Sequence, residues 1–349
     1  MRAPVIAPAS PLLLRRLLAT LGAGSVLVAG CGGSTSTELS DTGGVADVGT
    51  GDATGDTGLD DTGTDVADAA DARPDVPCVR RPFLVGAEPR AGALVERDDW
   101  SLAVEPLAAP LDAITARALA DAWAEDGLQE HASIAAFSRF TLLALAVGAP
   151  PEHVVGAQRA SLDEVRHAQA CFALSLRYGG GAPGPGPVSL DGALAGVTLE
   201  ALAVLTVHEG CVGETLGVFL AEAQLRATRD PVVRRVLARI VRDELRHAEL
   251  AWSFVRWALR VDPSLRPAIA RAFDDAGAAS RAIRGAEPAG IDLEAWRAHG
   301  RSTGAEVQTL VRRGLATVVA PCRQVLLAEP SPAAPIACDG ARVPFAPNA

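Results

Sequence analysis

The chain has no lysine, so all of its basic side chains are arginines, and it has few aromatic residues, only 4% of 349 residues. No stretch of the sequence combines clustered basic residues with aromatic ones. Clustered basic residues and aromatic residues are typical of proteins that bind nucleic acids, through phosphate contacts and base stacking. The sequence therefore predicts that nucleic acid is not a partner of this protein.

Large apolar residues are almost absent from residues 32–76. This segment consists mainly of Gly, Thr, Ser, Ala, Val and Asp, and it holds ten Asp, one Glu and one Arg. Such a composition cannot build a core and predicts a disordered tether. The segment carries most of the formal net charge of −10, so that charge says little about partners. The remaining residues, from 77 onward, suffice for one domain.

The N-terminus has the pattern of an export signal. Arg15 and Arg16 precede an apolar run that ends in Leu-Val-Ala-Gly directly before Cys31, and a basic region, an apolar region and small residues describe a secretory signal. A cysteine at this position resembles a bacterial lipobox, which predicts a signal over 1–31 and lipidation of Cys31. Gly32 favours the outer membrane, facing the periplasm or the surface. Arg15 and Arg16 also leave twin-arginine export open.

Two short segments, 163–168 and 243–248, almost repeat each other as Asp-Glu-x-Arg-His-Ala. In each, a glutamate precedes a histidine by three residues, within a strongly helical stretch. Positions i and i+3 share one helical face, so a carboxylate and an imidazole can reach the same point. The segments supply the pairs Glu164/His167 and Glu244/His247.

A lone glutamate precedes each pair at almost the same spacing. Glu130 lies 34 residues before Glu164, and Glu209 lies 35 residues before Glu244. Glu209 also interrupts an apolar stripe, and a buried carboxylate is costly unless it is paired or binds a metal. The chain therefore reads as a duplicated helix pair in which each half supplies one lone Glu and one Glu-x-x-His.

This set resembles the ligand set of the ferritin-like di-iron carboxylate proteins, over roughly residues 112–261. The resemblance implies an all-α fold whose four-helix bundle has a long crossover between its second and third helices. It also implies two iron ions, with manganese or a mixed Fe/Mn pair as the alternative. The implied ligands are Glu130, Glu164, His167, Glu209, Glu244 and His247.

Glu214 competes with Glu209 as the ligand from the third helix. At about 100° per residue the two lie about 140° apart, so both cannot face one metal pair equally well. The matched spacings favour Glu209, and Glu214 remains the alternative. His131 and His208 each flank a ligand position by one residue, which favours a role in supporting the site or in packing rather than ligation.

Asp163 and Asp243 stand directly before the ligating glutamates. The family resemblance implies that each accepts a hydrogen bond from the histidine of the opposite helix, Asp163 from His247 and Asp243 from His167, and so orients the ring. The alternative is that both are solvated acids beside neighbouring arginines.

Helix and turn signals place the metal-binding bundle at 111–261. A β-hairpin extension built from Arg81–Gly86 and Ala91–Arg97 precedes it at 77–110, and additional helices and a tail follow at 262–349. The six expected helices cover 112–148, 152–178, 190–228, 231–261, 263–284 and 293–319.

Three cysteines lie in segments that read as loops outside the bundle. Export would permit a disulfide among Cys78, Cys322 and Cys338, with the pairing left open.

A site of carboxylates and two histidines suits Fe(II) or Mn(II). The first hypothesis is a membrane-tethered oxidoreductase that activates oxygen or peroxide, with no organic substrate identified. The alternatives are an iron-handling protein with ferroxidase-like chemistry and a metal-stabilised envelope scaffold without turnover, so enzymatic activity stays undecided. The only tyrosine, Tyr178, lies ~16 Å along the helix from His167, which argues against a tyrosyl radical.

Overall fold

The computed structural model describes residues 11–22, 81–86, 88–283 and 287–328, all of which belong to one compact unit. The tether predicted at 32–76 and the cysteines Cys31, Cys78 and Cys338 lie outside the described residues. Most of the described residues are helical, which confirms the all-α class.

Two long helices, α2 (Ala113–Ala146) and α3 (Pro151–Arg177), pack along each other, and a third, α6 (Pro231–Val261), packs against α3. Their ends follow the capping rules. The side chain of Asp112 accepts a hydrogen bond from the Thr115 amide, and Asp230 accepts from the first amides of α6, directly before a proline at the first helical position. All three helices end within two residues of the predicted bounds.

The element between α3 and α6 is not a uniform α-helix. It comprises α4 (Leu199–Thr206), a π-helical segment (Val207–Glu214) and α5 (Thr215–Ala227). The expected start at residue 190 is wrong. Gly192 and Gly196 have φ angles of 73° and 68°, and the side chain of Thr198 caps α4.

A short N-terminal β-hairpin is present, as expected, but its second strand is not the expected one. β1 (Leu84–Val85) pairs with β2 (Glu88–Pro89), whereas β3 (Leu94–Glu96) pairs with β4 (Pro183–Pro185) in the connection after α3. The prediction that 81–86 pairs with 91–97 is therefore wrong. A Pro- and Gly-rich extended segment, remote in sequence, takes the place of the expected partner.

The C-terminal part also departs from two long helices. A 3-10 turn (Pro263–Leu265) leads into α7 (Arg266–Ala282), and the expected helix at 293–319 is divided into α8 (Leu293–Ala298), α9 (Gly304–Gly314) and a π-helical segment (Leu315–Val319). The division falls at Gly300, whose φ of 83° ends α8. α10 (Ala320–Ala328) follows.

Cys322 lies in α10, where its side chain is buried and its thiol is free. The prediction that it belongs to a loop is wrong. Cys322 and Leu326, four residues apart, are the buried residues of this helix, which continues to Ala328.

Residues 11–20 form a helix, α1 (Pro11–Thr20), that packs on α6. Leu13, Leu17 and Leu21 are fully buried there, and the guanidinium of Arg16 pairs with Glu249 at 2.6 Å. The segment predicted as part of an export signal is thus a packed helix when it is present in the chain.

Within the described part of the chain, one helical stretch, Leu199–Ala227, has the length and apolar character needed to cross a membrane. Within its apolar 18-residue window, 78% of the segment is buried inside the protein, as in the core helix of a folded domain.

Candidate metal centre

Two groups of buried side chains lie where the long helices meet. Within each group, one potential ligand atom per residue lies within 4.8 Å of the others. Glu164 and Glu244 belong to both groups. The first group is Glu130, Glu164, His167 and Glu244, and the second is Glu164, Glu214, Glu244 and His247.

The helical spacing accounts for this convergence. Each Glu-x-x-His pair projects from one face of its helix, because residues three apart are neighbours on an α-helix. Glu164 and His167 come from α3, and Glu244 and His247 come from α6. The sequence repeat therefore places two carboxylates and two imidazoles between α3 and α6, and α2 adds Glu130.

Both imidazole rings turn Nδ1 toward the carboxylates. His247 Nδ1 lies 3.1 Å from a Glu164 oxygen and 3.4 Å from a Glu244 oxygen. His167 Nδ1 lies 3.4 Å and 3.5 Å from oxygens of the same two glutamates. Nδ1 is therefore the nitrogen that each ring offers to a metal.

The Nε2 atoms face the two aspartates on opposite helices. His167 Nε2 lies 3.3 Å from Asp243, and His247 Nε2 lies 3.5 Å from Asp163. The residue pairs are those that the family resemblance implies, with a hydrogen bond for His167 and a longer contact for His247. The guanidinium of Arg246 donates to both aspartates at 2.9 Å, so they also have an arginine partner at the surface.

Charge explains how the histidines behave without a metal. Burial alone would lower the pKa of His167, but the hydrogen bond with Asp243 and the contacts with Glu164 and Glu244 raise it to about 10. The pKa of His247 is likewise raised, because its carboxylate neighbours outweigh burial. Protonated imidazoles thus act as counter-charges for the buried carboxylates.

The donor set fits a divalent metal ion. Several buried ligand atoms have no hydrogen-bond partner among the described residues, which is costly unless an ion satisfies them. These atoms are Glu164 Oε2, His167 Nδ1, Glu214 Oε1, Glu244 Oε2 and His247 Nδ1. Carboxylate oxygens with two imidazoles form a hard, oxygen-rich set suited to Fe(II) or Mn(II).

Glu209 belongs to neither group, unlike the ligand position that the residue spacing predicts for it. Its Oε1 accepts hydrogen bonds from Arg139 and, at 3.0 Å, from the Leu84 amide. Its Oε2 lies 3.5 Å from Arg81. The structure therefore places Glu214 among the ligand candidates and Glu209 in a buried ion-pair network.

The π-helical segment at Val207–Glu214 explains why Glu214 lies in a ligand group although the residue spacing favours Glu209. The matched spacings and the 140° angle both assumed a regular α-helix. A π-helix bonds residue i to residue i+5, so residues five apart lie about one turn apart on the same face. Glu209 and Glu214 therefore face the same side, and Glu214 reaches the ligand group.

The two flanking histidines lie apart from both groups. His131 packs its ring edge against Trp100, with ring centroids 5.0 Å apart. His208 lines a cavity, and burial lowers its pKa while Asp275 and Glu209 oppose that shift. The expected supporting role of these two residues is not found in the described contacts.

The cavity has a volume of about 760 Å³ and is lined in part by residues of the π-helical segment. Its walls are mainly apolar, from α4, α7 and the segment around residues 192–198, with Arg139, His208 and Asp275 as polar groups. Gly213, next to Glu214, also lines it. A volume of this size suits a small organic molecule.

Comparison with protein-family models, with curated proteins and with solved structures finds no match for this chain. Geometry alone therefore defines the class of site. That class is a buried carboxylate and histidine centre, built on helices, which can hold a metal ion.

Proposed function

We propose that this protein is a ferritin-like four-helix di-metal protein, with iron or manganese, that acts as an oxidoreductase on dioxygen or peroxide. The observation that carries the proposal is the pair of overlapping groups, which share Glu164 and Glu244. Two ions that share carboxylates are what di-iron carboxylate bundles hold between their helices.

The chain's own residues have separable tasks in this proposal. Glu130 and His167 would hold one ion, Glu214 and His247 would hold the other, and Glu164 and Glu244, which belong to both groups, could contribute to either. The crossed aspartates keep the Nε2 proton in place, so that Nδ1 presents a lone pair. Bound iron or manganese supplies the redox chemistry with dioxygen or peroxide. The buried surroundings exclude bulk water from it.

The cavity, which Gly213 next to Glu214 helps to line, favours an organic substrate over iron handling alone, since a ferroxidase needs no apolar cavity. Ala279, exposed on α7, lines the cavity, while its exposed neighbour Ala278 does not. We expect Ala279→Trp to abolish binding of an apolar fluorescent probe such as anilinonaphthalene sulfonate, with Ala278→Trp as the matched control. Equal probe binding by both variants would argue against a cavity ligand.

Anaerobic loading with Fe(II), followed by exposure to oxygen and absorbance spectroscopy, tests the function directly. We expect rapid oxidation of about two iron ions per chain. If Fe(III) then leaves the site and fresh Fe(II) is oxidised repeatedly without any added substrate, the ferroxidase alternative is supported instead. Metal binding without any oxidation would support the scaffold.

We further propose that the protein is exported and lipid-anchored through Cys31 in the cell envelope. Two or more acyl chains make such anchoring stable where one chain is marginal. Processing at Cys31 would remove α1, so the N-terminal mass of the membrane-bound chain reports it directly. We expect Cys31→Ser to shift the protein to the soluble fraction or to leave it unprocessed. Normal processing and unchanged membrane fractionation in this variant would refute the anchor.

A further inference from the structure

An arginine from outside the long helices reaches the candidate metal centre. Arg81 precedes β1 and is 3% exposed. Its Nη1 lies 3.7 Å from Oε1 of Glu214, and its Nη2 lies 3.5 Å from Oε2 of Glu209. A single guanidinium thus spans a candidate metal ligand and the buried glutamate that is excluded from the ligand groups.

The position of Arg81 is defined from three sides. Its guanidinium stacks over the ring of Phe137, 4.1 Å from the centroid, a favourable cation–π geometry. The hydroxyl of Ser133 donates to its backbone carbonyl at 2.8 Å. A Cβ at Gly210 would come within 3.4 Å of Nη1 and 2.4 Å of the Ala251 Cβ, so only glycine leaves this space open.

The charges around Arg81 are unevenly matched. Glu209 already has Arg139 as a partner, and that arginine also donates to the Leu84 carbonyl and stacks over Phe83 at 4.6 Å. Arg139 and Glu209 balance each other, so the positive charge of Arg81 is left facing Glu214. In a buried setting such an attraction is weakly screened.

We propose that Arg81 is a positioning residue of the metal centre, which holds Glu209 outside the ligand set and competes with a metal ion for Glu214. The inference rests on the proposed metal centre. Arg81 lowers the affinity of the site for the ion that Glu214 would bind. Through Arg81, the position of residues 81–86 therefore depends on whether that ion is bound. The other ion, served by Glu130, is affected less.

Oxygen-free titration with Co(II), followed by calorimetry and visible absorbance, tests this without any turnover. We expect Arg81→Gln to tighten binding of the second Co(II) ion about tenfold or more, the usual scale of a coupling between charged sites. Arg117→Gln is the control, because Arg117 lies on α2 with its side chain 71% exposed and pairs only with Asp121 among the described contacts. Second-ion affinity that is unchanged or weaker in Arg81→Gln would overturn the proposal.

A double variant separates this role of Glu209 from ligation. Glu209→Gln frees Arg81 to approach Glu214, so the second ion should bind more weakly. In Arg81→Gln/Glu209→Gln the competitor is gone, and the affinity should return to that of Arg81→Gln. If the double variant stays as weak as Glu209→Gln, Glu209 is itself a ligand and the proposal is wrong.

Arg81→Lys guards against a folding failure of Arg81→Gln. Lysine keeps the charge, but its single ammonium cannot contact both carboxylates as the two Nη atoms do. We therefore expect an affinity for the second Co(II) ion between those of the wild type and Arg81→Gln. An affinity equal to that of the wild type would contradict the proposal. If the wild-type protein binds no Co(II), the metal centre and this inference both fail. If it binds two ions but shows no oxygen chemistry with iron, only the proposed oxidoreductase function fails.

Discussion

Glu214→Ala should remove one of two bound metal ions, whereas Glu209→Ala should retain both, the second with lower affinity, and destabilise the fold. Glu214 offers an oxygen to the second ligand group, while Glu209 pairs with two buried arginines. Removing one member of a buried ion pair leaves an uncompensated charge, at a cost of ~3–5 kcal/mol. Elemental analysis of reconstituted protein and urea denaturation of the metal-free variants measure the two effects separately.

Glutamine variants provide the control for this comparison. Glu209→Gln keeps the shape and one acceptor oxygen for Arg139, so it should lose less stability than Glu209→Ala. The structural assignment would be wrong if Glu209→Ala lost one metal ion while Glu214→Ala kept both. That outcome would restore the assignment made from residue spacing.

Metal binding should stabilise the protein strongly. In glutamate variants, the part of this stabilisation that is lost should depend on which glutamate is removed. At a free ion concentration of 100 times Kd, each site adds about 2.7 kcal/mol. Two sites would raise Tm by about 10–20 °C in a domain of this size. We expect about half of this rise in Glu130→Ala and almost none in Glu244→Ala, since Glu244 belongs to both groups.

Differential scanning calorimetry with and without Mn(II) measures the rise, and each variant is compared with its own metal-free form. Glu294→Ala is the control, because Glu294 is exposed and pairs with Arg229 at the surface. An equal rise in Glu130→Ala and Glu244→Ala would show that the two groups do not share a ligand.

The sequence predicted the parts of the site that depend on regular helical spacing. Glu164 and His167, like Glu244 and His247, meet because an α-helix brings residues three apart to one face. The N-terminal ends of α2 and α6 were predictable from the capping residues Asp112 and Asp230, the latter followed by Pro231. These are local rules, and local rules apply wherever the helix is regular.

The remaining features depend on irregular or non-local structure. The choice between Glu209 and Glu214 turned on a π-helical segment, for which the only sequence signal is a pair of glycines, Gly210 and Gly213, within an apolar helix. Glycine weakens a regular α-helix and so marks where its geometry can change. No sequence pattern marks Arg81 and Arg139 as site residues, because their partner Glu209 is remote in sequence. The pairing of β3 with β4 was not predictable for the same reason.

The crossed His–Asp contacts connect the two halves of the repeat. Each imidazole is oriented by an acid on the opposite helix, and Arg246 joins the two acids. A slip of α3 past α6 by one turn, about 5.4 Å, would separate both pairs at once. Neither half can therefore acquire its ligand geometry alone, and a substitution at Asp163 acts on the imidazole of the other half. The two copies of the repeat, similar in sequence, are therefore mutually dependent in structure.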